Sequence, residues 1–239
     1  MGRNNYFRFK QFTIIQEKAA MKVGIDGVLL GAWIIADRPL KILDIGTGTG
    51  LIALMMSQRF ANAMIDAVEI DLEACQEALS NFKQSPWNER IQLKQIAFQE
   101  FVATTSAKYD LVVSNPPFFE NSVKIKTTSR ELARNSENLN LDDLFSGVSK
   151  ILDETGNFSI VFPALRLDEL IGAATKYQMF LNRLTSVKPN PEKPAHRVLA
   201  EFSFQQTNIV SNELIIEKMM HHDYTHEYRT LTRDFYLYF

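Results

Sequence analysis

The chain has 239 residues, 46% of them hydrophobic, with a formal net charge of −2 and a single cysteine. This composition predicts one sizeable globular core and excludes a disordered chain or a disulfide framework. The slight negative charge argues against a protein that coats nucleic acid, and no apolar run reaches the ~20 residues that a membrane helix needs.

The predicted elements begin with a helical N-terminal segment and continue as alternating strands and helices. Strands are predicted at residues 40–45, 63–68, 109–113, 157–162, 180–187 and 197–204. Helices are predicted from residue 51, at 72–79, at 141–152 and at 165–177. Such alternation is typical of an α/β fold built around a parallel sheet.

A glycine-rich turn follows the first of these strands. Asp44 lies near the end of the strand, and Gly46, Gly48 and Gly50 follow at G-x-G-x-G spacing. Glycine lets the backbone approach a ligand closely and adopt positive φ without strain. Leu51 stands where the dinucleotide fingerprint G-x-G-x-x-G needs its third glycine, so the spacing argues against NAD.

An acidic residue closes the second strand. Glu69 lies nineteen residues beyond Gly50. A carboxylate at this place can accept hydrogen bonds from both hydroxyls of a ribose. A ribose site without a pyrophosphate fingerprint predicts an adenosine-bearing cofactor, for which S-adenosylmethionine is the candidate.

The sequence Asn-Pro-Pro-Phe follows the predicted strand at 109–113. Strand carboxyl ends are where open α/β sheets bind ligands. A conjugated amino group is a poor nucleophile, but the Asn115 side-chain oxygen and the Pro116 carbonyl can accept its two hydrogens. We therefore predict amino-group methylation, with Asn115, Pro116, Pro117 and Phe118 as the catalytic residues and Phe118 stacking on the substrate ring.

Together, the glycine turn, the acidic strand end and Asn-Pro-Pro-Phe resemble class I S-adenosylmethionine-dependent amino-methyltransferases. Further segments are similar to the bacterial tRNA adenine N6-methyltransferases that modify the adenine beside the anticodon of a valine tRNA. These segments are residues 9–12, 20–33, 84–91, 196–199 and 224–239. The resemblance covers nearly the whole chain.

The resemblance implies a Rossmann-like class I methyltransferase fold. Its sheet is expected to have seven mostly parallel strands, with helices on both faces and an antiparallel last strand. We expect one domain over residues 1–239, in which 1–36 cover the cofactor site, 37–204 form the core sheet and 205–239 form a C-terminal appendage.

The resemblance also implies a set of residues that bind S-adenosylmethionine, partly in the N-terminal segment. They are Lys22, Gly24, Asp26, Gly27, Asp44, Gly46, Thr47, Gly48, Gly50, Glu69, Ile70, Ala97 and Asn115. Ala97 stands where such proteins commonly carry a carboxylate that accepts from the cofactor's adenine amino group. The implied reaction is direct methyl transfer to a flipped-out adenine.

The expected macromolecular partner is the anticodon stem-loop of a tRNA, bound through basic side chains. These RNA-binding candidates are Lys124, Lys126, Arg130, Arg134, His196 and Arg197. Lys and Arg would anchor RNA through its phosphates. Alternatively, these basic residues are ordinary solvated side chains with no role in RNA binding, because acidic residues interrupt both the group at 124–134 and the group around 196–197.

Other methylation substrates, and a protein that is not an enzyme, stay open as alternatives at this point. Glutamine side chains of proteins and adenines of DNA also present a planar NH2 group, and a noncatalytic RNA-binding protein is a third alternative. We expect no metal site, because His222 and His226 have no third soft ligand near them. We also expect a cytoplasmic protein that does not bind membranes, and we favour a monomer.

Overall fold

The computed structural model describes residues 4–19, 22–116 and 139–238. Strands are β1 (Tyr6–Arg8), β2 (Thr13–Ile15), β3 (Lys41–Ile45), β4 (Met64–Glu69), β5 (Ile91–Gln95), β6 (Tyr109–Ser114), β7 (Leu152–Pro163), β8 (Phe180–Lys188), β9 (Arg197–Ser203) and β10 (Val210–Ile215). Helices are α1 (Ile25–Trp33), α2 (Leu51–Arg59), α3 (Leu72–Gln84), α4 (Phe98–Thr104), α5 (Leu141–Ile151), α6 (Leu167–Lys176) and α7 (His226–Thr232). Within these residues no helix is both long and apolar enough to span a membrane.

The central sheet has the strand order β10-β8-β9-β7-β6-β3-β4-β5. All neighbours pair in parallel except β9, which runs antiparallel to both β7 and β8. The predicted fold class is confirmed. The antiparallel strand is β9 and not the last strand of the sheet, which is β10. The sheet carries one strand more than the seven predicted, because β10 adds to the outer edge of β8.

The core lies on both faces of this sheet. Along β3, Ile42 packs into one apolar cluster with α1 and α2, whereas Leu43 packs into the other with α5. Adjacent residues of a strand point to opposite faces, so a strand buried on both sides is apolar at successive positions. The helices therefore cover both faces, as predicted.

The N-terminal segment departs from the prediction of helix. β1 and β2 form an antiparallel hairpin, and α1 begins only at Ile25. Phe9 and Phe12 are buried in the hairpin, and Phe9 N donates to Phe12 O in the turn that joins its strands. The aromatic side chains of this stretch are therefore placed by a hairpin rather than by helical periodicity.

Parallel strands bring several predicted site residues to one edge of the sheet. The carboxyl ends of β3, β4, β5 and β6 all lie there, because each strand pairs in parallel with its neighbour. The glycine turn follows β3, Glu69 ends β4, and Asn115 follows β6.

Candidate cofactor and substrate site

A cavity of about 220 Å³ opens at this carboxyl edge. The predicted site residues in its wall are Gly46, Gly48, Glu69, Ile70, Ala97, Asn115 and Pro116. Sequence reasoning missed the other residues that line it, which are Ala19, Ile45, Val68, Asp71, Ala74, Ile96, Phe98, Gln99, Ser114 and Leu139. Most of these lie next to a predicted residue at a strand end, and that adjacency is the signal that could have found them.

The glycine turn forms an open cradle at one side of the cavity. Gly46 and Gly48 have φ of 68° and 56°, and a Cβ added to either would meet nothing within 4 Å. The turn is fixed by the Gly46 and Thr47 N–H groups, which both donate to Val68 O. Gly50 is needed for packing instead, because a Cβ there would come within 2.3 Å of the Phe82 ring.

Glu69 uses most of its hydrogen-bonding capacity within the protein. Its Oε2 accepts from Gly48 N, and its Oε1 accepts from Ile70 N and Asp71 N, each at 2.9 Å. A carboxylate offers about four lone-pair sites. Among the described contacts this leaves one lone-pair site, on Oε2, for a ribose hydroxyl. The pair of ribose bonds to Glu69 stays a prediction.

Asp44 lies beneath the turn and is 1% exposed. Its Oδ2 accepts from Thr47 Oγ1 at 2.6 Å and from Ala53 N at 3.1 Å, and burial raises the pKa of this carboxyl to about 7. Its Oδ1 is buried without a hydrogen-bond partner among the described residues. Asp44 therefore braces the turn through Oδ2.

Asn115 has a side-chain oxygen that is a hydrogen-bond acceptor with no partner among the described residues. Its Oδ1 is buried and accepts no hydrogen bond from the described residues, while Pro116 is buried beside it. Ser114 Oγ donates to Ile45 O at 3.0 Å, which ties the end of β6 to that of β3. Gly27 of α1 lies close by, because a Cβ there would stand 3.6 Å from Asn115 Nδ2.

The structure places the remaining predicted residues of the N-terminal segment outside the cavity wall. Lys22 Nζ donates to Asn4 O at 3.3 Å, and Gly24 immediately precedes α1. Asp26 forms an ion pair with Arg197, with Nε and Oδ2 2.9 Å apart. One residue predicted for the cofactor and one predicted for RNA thus contact each other.

His196 is exposed immediately before β9; its N–H donates to Val187 O and its carbonyl accepts from Ala164 N. The other predicted catalytic and RNA-binding residues lie outside the described residues. They are Pro117, Phe118, Lys124, Lys126, Arg130 and Arg134.

Within residues 4–19, 22–116 and 139–238, one group of side chains has the spacing of metal ligands. Ligand atoms of Glu217, His221 and His222 lie within 4.8 Å of one another, and both histidines are largely exposed. His226 is not in this group. The expectation of no metal stays a prediction, as does the monomeric state.

Comparison with known proteins identifies the family. The profile of the methyltransferase small domain matches residues 28–164. A tRNA1(Val) (adenine(37)-N6)-methyltransferase of Parabacteroides distasonis is 42% identical, and one of Trichodesmium erythraeum is 43% identical, each over 98% of both chains. The chain belongs to this methyltransferase family. It is therefore an enzyme, and S-adenosylmethionine is its cofactor.

Solved structures agree with the fold of this methyltransferase. A predicted O-methyltransferase from Agrobacterium tumefaciens superposes with a TM-score of 0.69. The match covers 88% of this chain and 96% of the other at 19% identity. This likeness bears on the fold alone.

The cavity of the methyltransferase fits S-adenosylmethionine by its own chemistry. The open glycine cradle admits a ligand against the backbone, and Glu69 keeps one acceptor site for a ribose hydroxyl. Ile70, Ile96 and Phe98 supply apolar wall for a purine ring. Ala97 adds no polar side chain, so the wall after β5 lacks the carboxylate expected there.

Proposed function

We propose that this methyltransferase transfers a methyl group from S-adenosylmethionine to N6 of adenine 37 in a valine tRNA. The observation that carries the proposal is the buried Asn115 Oδ1 in the cavity wall at the end of β6, which has no hydrogen-bond partner in the described part of the chain. The names of the relatives supply the substrate. When bound, S-adenosylmethionine supplies an electrophilic methyl group on a sulfonium.

Asn115 and Pro116 hold the target amino group. An adenine NH2 has two N–H donors and a lone pair delocalised into the ring. Asn115 Oδ1 accepts one hydrogen and the Pro116 carbonyl the other, and this pair aims N6 at the methyl group. Positioning of this kind supplies much of the rate of a two-substrate reaction. No strong general base is required, since the proton becomes acidic only once the methyl group has been transferred.

The cofactor is held by the cradle of Gly46 and Gly48 and by the free Oε2 site of Glu69. Asp44 keeps the turn in shape through Thr47. The N-terminal segment, residues 1–36, covers the cofactor through Ala19, whose side chain lines the cavity. Lys22, Gly24 and Gly27 help to position this segment and α1 and do not contact the cofactor directly.

The RNA approaches the same edge of the sheet. A stacked adenine is sterically closed to the enzyme, so base 37 leaves its stack, and a loop base does so at lower cost than a paired one. Phe118, next to the Asn-Pro-Pro sequence, stacks on the flipped ring. His196 and the lysines and arginines between residues 124 and 134 contact the phosphates. A tRNA substrate supports a cytoplasmic location for the enzyme.

Transfer of radiolabelled methyl to an unmodified valine tRNA transcript tests the proposal. We expect N6-methyladenosine at position 37, no label on a transcript with guanine there, and no label on DNA or on a glutamine peptide. Asn115→Ala should lower turnover by about 100-fold or more, the scale known for removing one preorganised hydrogen-bonding group from a site. Its dissociation constant for S-adenosylhomocysteine, measured separately, should change little. Turnover within tenfold of wild type would contradict the role of Asn115.

A further inference from the structure

The cavity wall after β5 contains a polar side chain two residues beyond Ala97. Gln99, in the first turn of α4, is half-buried and lines the cavity. Two other polar residues of the wall each use one side-chain oxygen within the protein. Asp71 Oδ1 caps α3 by accepting from Ala74 N, and Ser114 Oγ donates to Ile45 O.

The orientation of the Gln99 amide is set by a carboxylate. Gln99 Nε2 donates to Asp143 Oδ2 at 3.2 Å, and Asn140 Nδ2 donates to the same oxygen at 3.0 Å. An ionised carboxylate only accepts hydrogen bonds, so the NH2 of Gln99 must face Asp143 and its Oε1 must lie on the other side of the amide carbon.

The bond to Asp143 fixes the orientation of the Gln99 amide, so its Oε1 is an acceptor that points away from Asp143. Asp143 does not line the cavity, whereas Gln99 does. No described residue donates to Oε1, and the half-buried Gln99 side chain lines the cavity, so Oε1 is the acceptor that this side chain offers to a ligand.

We propose that Gln99 Oε1 accepts a hydrogen bond from the exocyclic amino group of the cofactor's adenine, and so makes the cavity selective for adenine over hypoxanthine. The proposal rests on the binding of S-adenosylmethionine in this cavity, as proposed above. Adenine carries an NH2 donor at position 6, whereas hypoxanthine carries a carbonyl acceptor. An amide oxygen facing that carbonyl would oppose two acceptors, and both would stay unsatisfied in the site.

The nearby Asp143 explains why residue 99 is a neutral amide and not a carboxylate. A carboxylate at position 99 would lie against the Asp143 carboxylate, and like charges at such a distance disfavour each other's ionised form. Glutamine offers an acceptor without that repulsion, and its second half ties the first turn of α4 to that of α5.

Calorimetric titration with S-adenosylhomocysteine and S-inosylhomocysteine tests this role without a reaction. Wild type should bind the adenosyl ligand at least about tenfold more tightly than the inosyl ligand, the ratio expected for one unmatched hydrogen-bonding group. In Gln99→Leu the two dissociation constants should come within about threefold of each other. Gln95→Leu, an exposed glutamine at the end of β5 outside the cavity wall, is the matched control and should keep the wild-type ratio.

A second variant leaves Gln99 itself in place. In Asp143→Asn the partner can donate as well as accept, so the Gln99 amide is free to turn over and the preference for the adenosyl ligand should shrink. Thermal unfolding of each variant checks that it is folded. A wild-type ratio in both Gln99→Leu and Asp143→Asn would overturn the role of Gln99 while leaving the proposed function intact. Failure of wild type to bind either ligand would instead refute the use of this cofactor.

Discussion

Glu77 of α3 holds the N-terminal segment against the cofactor cavity, and Glu77→Gln tests that role. Its carboxylate is 7% exposed and accepts from three successive backbone N–H groups. The bonds come from Glu17 N and Lys18 N at 2.6 Å to Oε1, and from Ala19 N at 3.0 Å to Oε2. Since Ala19 lines the cavity, this contact connects α3 to the cofactor site.

The expected loss follows from these three bonds. Glutamine keeps one oxygen for Glu17 and Lys18, but its NH2 group replaces the oxygen that faces Ala19 N, so two donors are opposed there. Charge-assisted bonds contribute roughly 1.5–3 kcal/mol each and neutral ones about 1 kcal/mol. We expect Glu77→Gln to lower the free energy of unfolding by about 3 kcal/mol, which corresponds to a fall in Tm of about 6–12 °C for a chain of this size.

Thermal unfolding and amide hydrogen exchange measure this effect. The amides of Glu17, Lys18 and Ala19 should exchange faster in Glu77→Gln, and affinity for S-adenosylhomocysteine should fall severalfold because the cavity wall at Ala19 is loosened. Glu73→Gln makes the same charge change on an exposed position of α3 and should alter neither quantity. Unchanged protection of the three amides with an unchanged Tm would refute the reasoning.

Two further predictions concern the glycine turn. The pKa of Asp44 rises from 3.8 to about 7 on folding, so its contribution to stability is present below pH 3.8 and is lost as pH rises through 7. In denaturant titrations, the free energy of unfolding of wild type should therefore fall by about 3 kcal/mol between pH 5 and 8 relative to that of Asp44→Asn. If the free energies of unfolding of the two proteins changed in parallel with pH, the raised pKa of Asp44 would be contradicted. Gly48→Ala should weaken S-adenosylhomocysteine binding at least about tenfold, because its Cβ occupies the open cradle at a φ of 56°. The control Gly172→Ala, at an exposed helical site, should leave binding unchanged and stabilise the fold by about 0.5–1 kcal/mol. Equal affinities of the two variants for S-adenosylhomocysteine would contradict a ligand that lies against Gly48.

The strands that carry the site were predictable because their signal is local. β6 spans Tyr109–Ser114, and the apolar run at 109–113 predicted it almost to the residue. The G-x-G-x-G spacing likewise predicted a turn with positive φ at Gly46, Gly48 and Gly50. In each case neighbouring residues suffice, since strand burial and turn chemistry are decided over a few positions.

Elements that depend on their surroundings were missed. β10 has the burial pattern of an edge strand, with its first four residues exposed, so its sequence shows no apolar run. It is a strand because it pairs with β8 from Val210 to Ile215. Contacts between residues far apart in the sequence could not be predicted either, because they too depend on the folded surroundings. Asp26 and Arg197 pair across the chain, and nothing near either residue indicates the other.

The acidic residues of the site show why a ligand role is difficult to assign from sequence. Glu69 and Glu77 each accept three backbone N–H bonds, and Asp44 accepts one from the backbone and one from Thr47. A buried or half-buried carboxylate that organises N–H groups is as necessary to the cavity as one that touches the ligand, because removing it leaves donors unpaired. Loss of affinity on deleting Glu69 therefore combines a ribose contact with the shape of the turn at Gly48. Only a change that spares the backbone bonds, made on the ligand's ribose rather than on the protein, separates the two contributions.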